Sequence, residues 1–263
     1  MKRLDFNVIV GLLVGISAIG ASVVIEGIKL GFFWQPTAAL VVLGGTLGAV
    51  TIRSGTRGLV SLAGELLRLL SKNETYHEEE ATIARLAWLM RASQREGARV
   101  FEQYAEASSD PLVIRGLSLT AEYAEPQLVR AVLDGLLDHE DREGRRHATI
   151  LESAGGYAPT FGILGAVLGL IHVLRSLDVA SALGNGIATA FVATIYGIGF
   201  ANLIFFPLAS RLREKHETRM FRRQALAEAL VAVSAHESPA NIKRRFSEHP
   251  SFQSVRSLLE ARF

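Results

Sequence analysis

Few residues in this chain could do chemistry, and their spacing removes most of the usual candidates. None of the 263 residues is Cys. That excludes disulfides, thiolate metal sites and thiol nucleophiles. His139 and His147 stand too far apart for the i, i+4 pair of a helical zinc site. Gly44-Gly45-Thr46-Leu47-Gly48 has no Lys after it and makes no phosphate loop. Gly162, Gly165 and Gly169 miss the dinucleotide spacing. Glu78-Glu79-Glu80 reads as a solvated helix start. No Ser/His/Asp set assembles, so nothing argues for an enzyme, and no metal or cofactor is implied. What remains is a set of hydroxyls in apolar surroundings: Thr160, Thr189, Thr194 and Tyr196, with Asn202 beyond. Such groups either bond back to their own helix or line a polar path.

The elements that must position these hydroxyls are long and apolar. Four runs, 6–25, 34–52, 157–174 and 187–208, contain no Asp, Glu, Lys or Arg. Each approaches the roughly 20 residues that cross a hydrocarbon core. The first follows a basic start and could be mistaken for a signal peptide with a weak small-residue site at Ala18–Ala21. It is too long for that, and a second span follows at once. The composition, 49% hydrophobic, excludes a disordered chain, and a net charge of +2 offers nucleic acid no global polycation. Of 28 basic residues, only Lys29 and Arg175 lie in the two short connections. The positive-inside rule therefore predicts both termini and the loop 53–156 on the cytoplasmic side.

That loop shows helical periodicity in Leu62, Leu66, Leu69 and Leu70, and again in Ile83, Leu86, Leu89 and Met90. Asp110-Pro111 and Glu125-Pro126 are helix starts. The tail from Ser210 to about Ala235 continues the fourth span as a polar helix, Ser238-Pro239 breaks it, and a short helix ends the chain. The expected fold is an all-α integral membrane protein with four transmembrane helices and a helical cytoplasmic domain. Its divisions are 1–52, the first two spans; 53–156, the cytoplasmic domain; 157–209, the last two spans; and 210–263, the tail. Small residues four apart, Gly11/Gly15, Gly44/Gly48, Gly162/Ala166, Gly165/Gly169 and Ala193/Gly197, allow close helix approach. Some pairs serve packing within the chain, but five exceed its needs and predict an oligomer. Pro159 and Pro207 predict bending near the cytoplasmic ends of the spans. An intramembrane ionisable group usually marks an ion relay, and these spans have none at their centres. The chain alone therefore carries no protonatable relay.

Several stretches carry a resemblance to a known family. They are 27–36 (GIKLGFFWQP), 42–48 (VLGGTLG), 158–170 (APTFGILGAVLGL), 190–197 (AFVATIYG) and 201–209 (ANLIFFPLA). The chain resembles the MotA/PomA-type flagellar stator subunits of the MotA/TolQ/ExbB proton channel family. The resemblance implies a homopentamer around a dimer of a MotB-like single-span subunit, which binds peptidoglycan and supplies the missing intramembrane aspartate. It implies a bacterial inner-membrane location and an ion channel that turns ion-motive force into torque. By the resemblance, Pro159, Ala166, Thr194 and Tyr196 line the ion path, and Ala166 in place of Thr points to protons. The loop stretch 91–102 matches the part that meets the rotor protein FliG, with Arg95 and Glu102 matching by position. Gln94 stands where many members have a basic residue, which brings in Arg91 or Arg99 as substitutes. The alternative within this resemblance is a TolQ/ExbB-like or gliding-motility energiser using the same ring. A secondary transporter predicts polar midplanes that these spans lack. A scaffold that conducts nothing stays open.

Overall fold

The computed structural model describes residues 6–28, 30–70, 76–175 and 180–238. Every regular element among them is helical. The short helix expected at the end of the chain lies outside the described residues.

Helix α1 (Phe6–Ile25) carries no charge. A single 3-10 turn, Leu30–Phe33, leads to α2 (Pro36–Ala39), which starts on proline. Its fixed φ and missing N–H suit a first helical position. A π-helical segment, Leu40–Gly44, joins α2 to α3 (Gly45–Leu70). Inside α3, Gly55 adopts φ 69° and ψ 163° and kinks the helix. A side chain there would be strained, so the bend depends on glycine. Next come α4 (Tyr76–Glu96), α5 (Arg99–Ala107) and α6 (Pro111–Ala121). Gly97, at φ 76°, turns the chain between α4 and α5. The Asp110 side chain caps α6 by accepting from the Leu112 N–H at 2.9 Å, with Pro111 at the first turn. Helix α7 (Pro126–Arg175) runs 50 residues, about 75 Å at 1.5 Å per residue. Helix α8 (Ala180–Phe200) passes through a second π segment, Ala201–Phe205, into α9 (Phe206–Ser234).

Both helix starts expected at Pro111 and Pro126 occur where the sequence puts them. Three stretches, Pro36–Leu67, Pro126–Arg175 and Leu183–Ser234, are long and apolar enough to cross a bilayer, and Val10–Ile25 forms a shorter apolar helix.

The described residues fall into two compact units. Among them, 6–70 and 144–214 belong to one, and 76–143 and 215–238 to the other. The first holds the apolar helices. Its packing centres on Val50, Leu62, Ile150, Leu151 and Leu212, and on a second cluster of Ala38, Val42, Val192 and Ala193. The other unit has a leucine-rich core, including Leu86, Leu89, Leu112, Leu117, Leu133, Leu226 and Leu230. Arg223 is buried beside that core, with its side chain 8% exposed. It donates to the Asp110 and Glu140 carboxylates and so ties α9 to the start of α6 and to α7. Burial opposes its charge, but the hydrogen bond and attraction of Asp110, with Glu140 adding to them, outweigh burial. The guanidinium is held above its ordinary pKa. Its stabilising contribution is therefore present throughout the lower pH range and is lost only as pH rises through that raised pKa.

Candidate functional site

Helices α7 and α8 pack along a seam of small residues. A Cβ added at Gly197 would lie 2.6 Å from the Ala158 carbonyl oxygen and 3.1 Å from the Cα atoms of Gly162 and Pro159. One added at Gly169 would lie 2.8 Å from the Ala190 nitrogen and 2.9 Å from the Gly186 oxygen. Gly165 meets the Ala193 methyl in the same way. The two backbones touch without side chains between them. Van der Waals packing of this kind holds helices together in lipid. Gly162, Gly165/Gly169 and Ala193/Gly197 are thus used inside the chain. A Cβ at Gly15 would meet Leu203, while among the described residues one at Gly11 or Gly48 would meet nothing within 4 Å and one at Gly44 only Leu40 of its own helix at 3.9 Å.

The seam places the candidate path residues on different sides. A Cβ at Gly165 would lie 3.6 Å from Val41, so that edge of α7 faces the α2–α3 helix. Pro159 and Ala166 lie about 100–120° around α7 from it, on the side turned away. On α8, Val192 and Tyr196 pack in the cluster with Ala38, Val42 and Phe33. The Tyr196 hydroxyl donates to the Phe33 carbonyl, and the Thr189 hydroxyl oxygen lies 3.3 Å from the Gln35 side-chain amide. Thr194 lies about 200° from Tyr196 on a helix that turns about 100° per residue. It therefore shares the side of Pro159 and Ala166. The structure brings those three to one face of the α7–α8 pair and sets Tyr196 on the opposite one.

Most of the span hydroxyls bond to backbone. Thr194 donates to the Ala190 carbonyl at 3.3 Å, Thr189 to Asn185 at 2.9 Å and Thr160 to Tyr157 at 2.7 Å. Thr194 is half-buried, so its oxygen keeps accepting capacity. Thr46 differs: its hydroxyl is buried and has no hydrogen-bond partner among the described residues. Pro159 sits inside α7 without ending it. Pro207 stands two residues after the π segment Ala201–Phe205. In a regular α-helix its ring would press on the carbonyl four residues back, and a wider turn relieves that clash.

In the other unit, Arg91 and Arg95 are exposed on α4, and Arg99 and Glu102 are exposed on α5. The four flank the Gly97 turn. Glu102 also borders a shallow groove with Ala105, Glu106, Ile114, Ser118 and Glu122.

Residues 104–225 match the model of the MotA/TolQ/ExbB proton channel family. The matched stretch takes in α7 and α8, with all four candidate path residues, and begins just after Glu102. The chain is 28% identical to "Motility protein A" of Bacillus subtilis over 242 residues, 92% of this chain and 89% of that protein. Among solved structures it resembles the flagellar MotAB stator complex of B. subtilis. The TM-score there is 0.78 at 27% identity, covering 90% of this chain and 93% of the other. It shares the fold of the C. jejuni MotAB chain at TM-score 0.81 and 18% identity, covering 94% and 98%. The family comprises membrane ion-channel and stator components, not enzymes.

Tyr196's tie to Phe33 and the Arg223 clamp were not foreseen from sequence. Packing of some small-residue pairs within the chain was expected, but not which helices they join. Gly162, Gly165 and Gly169 on one span are complemented by Gly186, Ala193 and Gly197 on the next.

Proposed function

We propose that this chain is the A-type subunit of a MotAB-like stator in a bacterial inner membrane, with both termini and the 53–156 segment cytoplasmic. In this reading 1–52 and 157–209 supply four spans, and 210–263 forms the cytoplasmic tail. Five copies surround a dimer of a single-span, peptidoglycan-anchored partner. The observation that carries the reading is the absence of Asp, Glu, Lys and Arg from the centres of the apolar spans, beside a face that carries Pro159, Ala166 and the Thr194 hydroxyl. A carboxylate lent by the partner would meet that face. When ionised, it is costly against apolar helices; when protonated, that cost falls. Protonation thus releases the ring to step. Ala166 cannot replace a water on Na⁺ as a Thr hydroxyl could, which favours protons. Tyr196 acts as a positioning residue that holds α8 to the Phe33 turn. Pro159 and Pro207 serve as bending points. Arg91, Arg95, Arg99 and Glu102 form the surface that pushes on the rotor protein FliG.

The test is Thr194→Leu in the complete complex. The reading expects the complex to copurify with its partner while proton flux and motility are lost. Undiminished motility would leave a scaffold role standing instead.

A further inference from the structure

Helix α4 buries Ile83, Leu86, Ala87, Leu89 and Met90, so its opposite face looks to solvent. Trp88 stands at the centre of that face, 61% exposed. It lies about 200° around the helix from the buried Leu86. An indole left in water at such a position is costly, and large exposed aromatics are unusual. The neighbours of Trp88 on the same stripe are Arg85, Arg91 and Arg95, all exposed. Glu96, the nearest described acid on α4, is about 80° away. Arg85 reaches Tyr104 on α5 at 3.5 Å, so the stripe continues to the helix that carries Glu102.

We propose that Trp88 is the apolar anchor of the protein-docking face of α4, seated in a pocket of the partner whose rim carries carboxylates. The inference rests on the rotor-contact reading above and adds the residue that supplies affinity and the chemistry of its receptor. Three guanidiniums around one indole match the composition of interface hot spots, in which Trp and Arg dominate. They also specify acids opposite, because like charge would be repelled. A bilayer surface fits worse. Interfacial helices bury a broad apolar face, and here one ring stands among charges.

The experiment uses the full chain in complex with its single-span partner. Trp34 and Trp88 are the only two tryptophans, so a Trp34→Phe background makes Trp88 the sole indole in this chain. Mixing with the purified rotor protein should shift or quench its emission. Trp88→Ala should weaken rotor binding about tenfold or more, with Trp88→Phe losing less and Trp88→Arg no better than Ala. Because the ring is exposed, these variants should keep wild-type helicity and assembly. Binding that falls in Arg95→Gln and Glu102→Gln but not in Trp88→Ala overturns the anchor and leaves the rotor reading intact. No effect from any of these five substitutions overturns both. An equal emission shift on phosphatidylglycerol vesicles without rotor protein makes Trp88 a membrane contact and also overturns the proposal.

Discussion

Gly197→Ala tests the α7–α8 seam most sharply. The added methyl would stand 2.6 Å from the Ala158 carbonyl oxygen, against the 3.4 Å at which ordinary contact begins. All three of its nearest neighbours are backbone atoms, so no side chain can swing aside. The helices must separate by several tenths of an ångström along the whole seam. Overpacking of this kind costs about 1–3 kcal/mol, roughly 5- to 150-fold in the unfolding equilibrium. Gly199, two residues on in the same helix, has nothing within 4 Å of its Cβ position. There Ala gains up to about 1 kcal/mol through helix propensity. The two substitutions are chemically identical and should have opposite signs. Unfolding of the purified full chain in mixed micelles, followed by circular dichroism, reads both. Equal stability for Gly197→Ala and wild type, or equal losses for the two variants, would refute backbone contact at the seam.

Further outcomes follow from the polar groups. Arg223→Met takes the cation from Asp110, 28% exposed, while Glu140 keeps Arg219 at 2.8 Å, so the loss should not exceed the low end of the range for broken buried pairs, about 3 kcal/mol. Chemical unfolding measures it, and Arg223→Lys should lose less. Thr46→Val removes a buried hydroxyl that has no partner and should leave stability unchanged or raise it by about 1 kcal/mol. Thr120→Val deletes a buried bond to the Gly116 carbonyl at 2.7 Å and should lower stability by about 1 kcal/mol in the same assay. Tyr196→Phe should cost about 1 kcal/mol by releasing the Phe33 carbonyl, and hydrogen exchange at the 30–35 turn should rise.

The apolar runs were legible because absence of charge over some twenty residues is a local property. The caps at Asp110-Pro111 and the start at Pro126 were legible for the same reason. What escaped depends on partners far along the chain. Arg223 meets Asp110 across 113 positions, and Tyr196 meets Phe33 across 163. Nothing near either residue announces the other. The small-residue spacing was visible, but spacing alone does not say which helix answers it. The structure answers for α7 and α8 and leaves Gly44 and Gly48 clear of other helices. Thr194 and Tyr196 share an apolar run, and helical geometry sends them to opposite sides. The kink at Gly55 and the two π segments break the regular period on which sequence reading relies.

The most direct measurement is proton flux into sealed liposomes containing this chain alone, compared with liposomes containing the chain and its single-span partner. A protein with no Asp, Glu, Lys or Arg of its own at mid-membrane should pass no protons until the partner brings a carboxylate. Flux through the solitary chain would contradict the account.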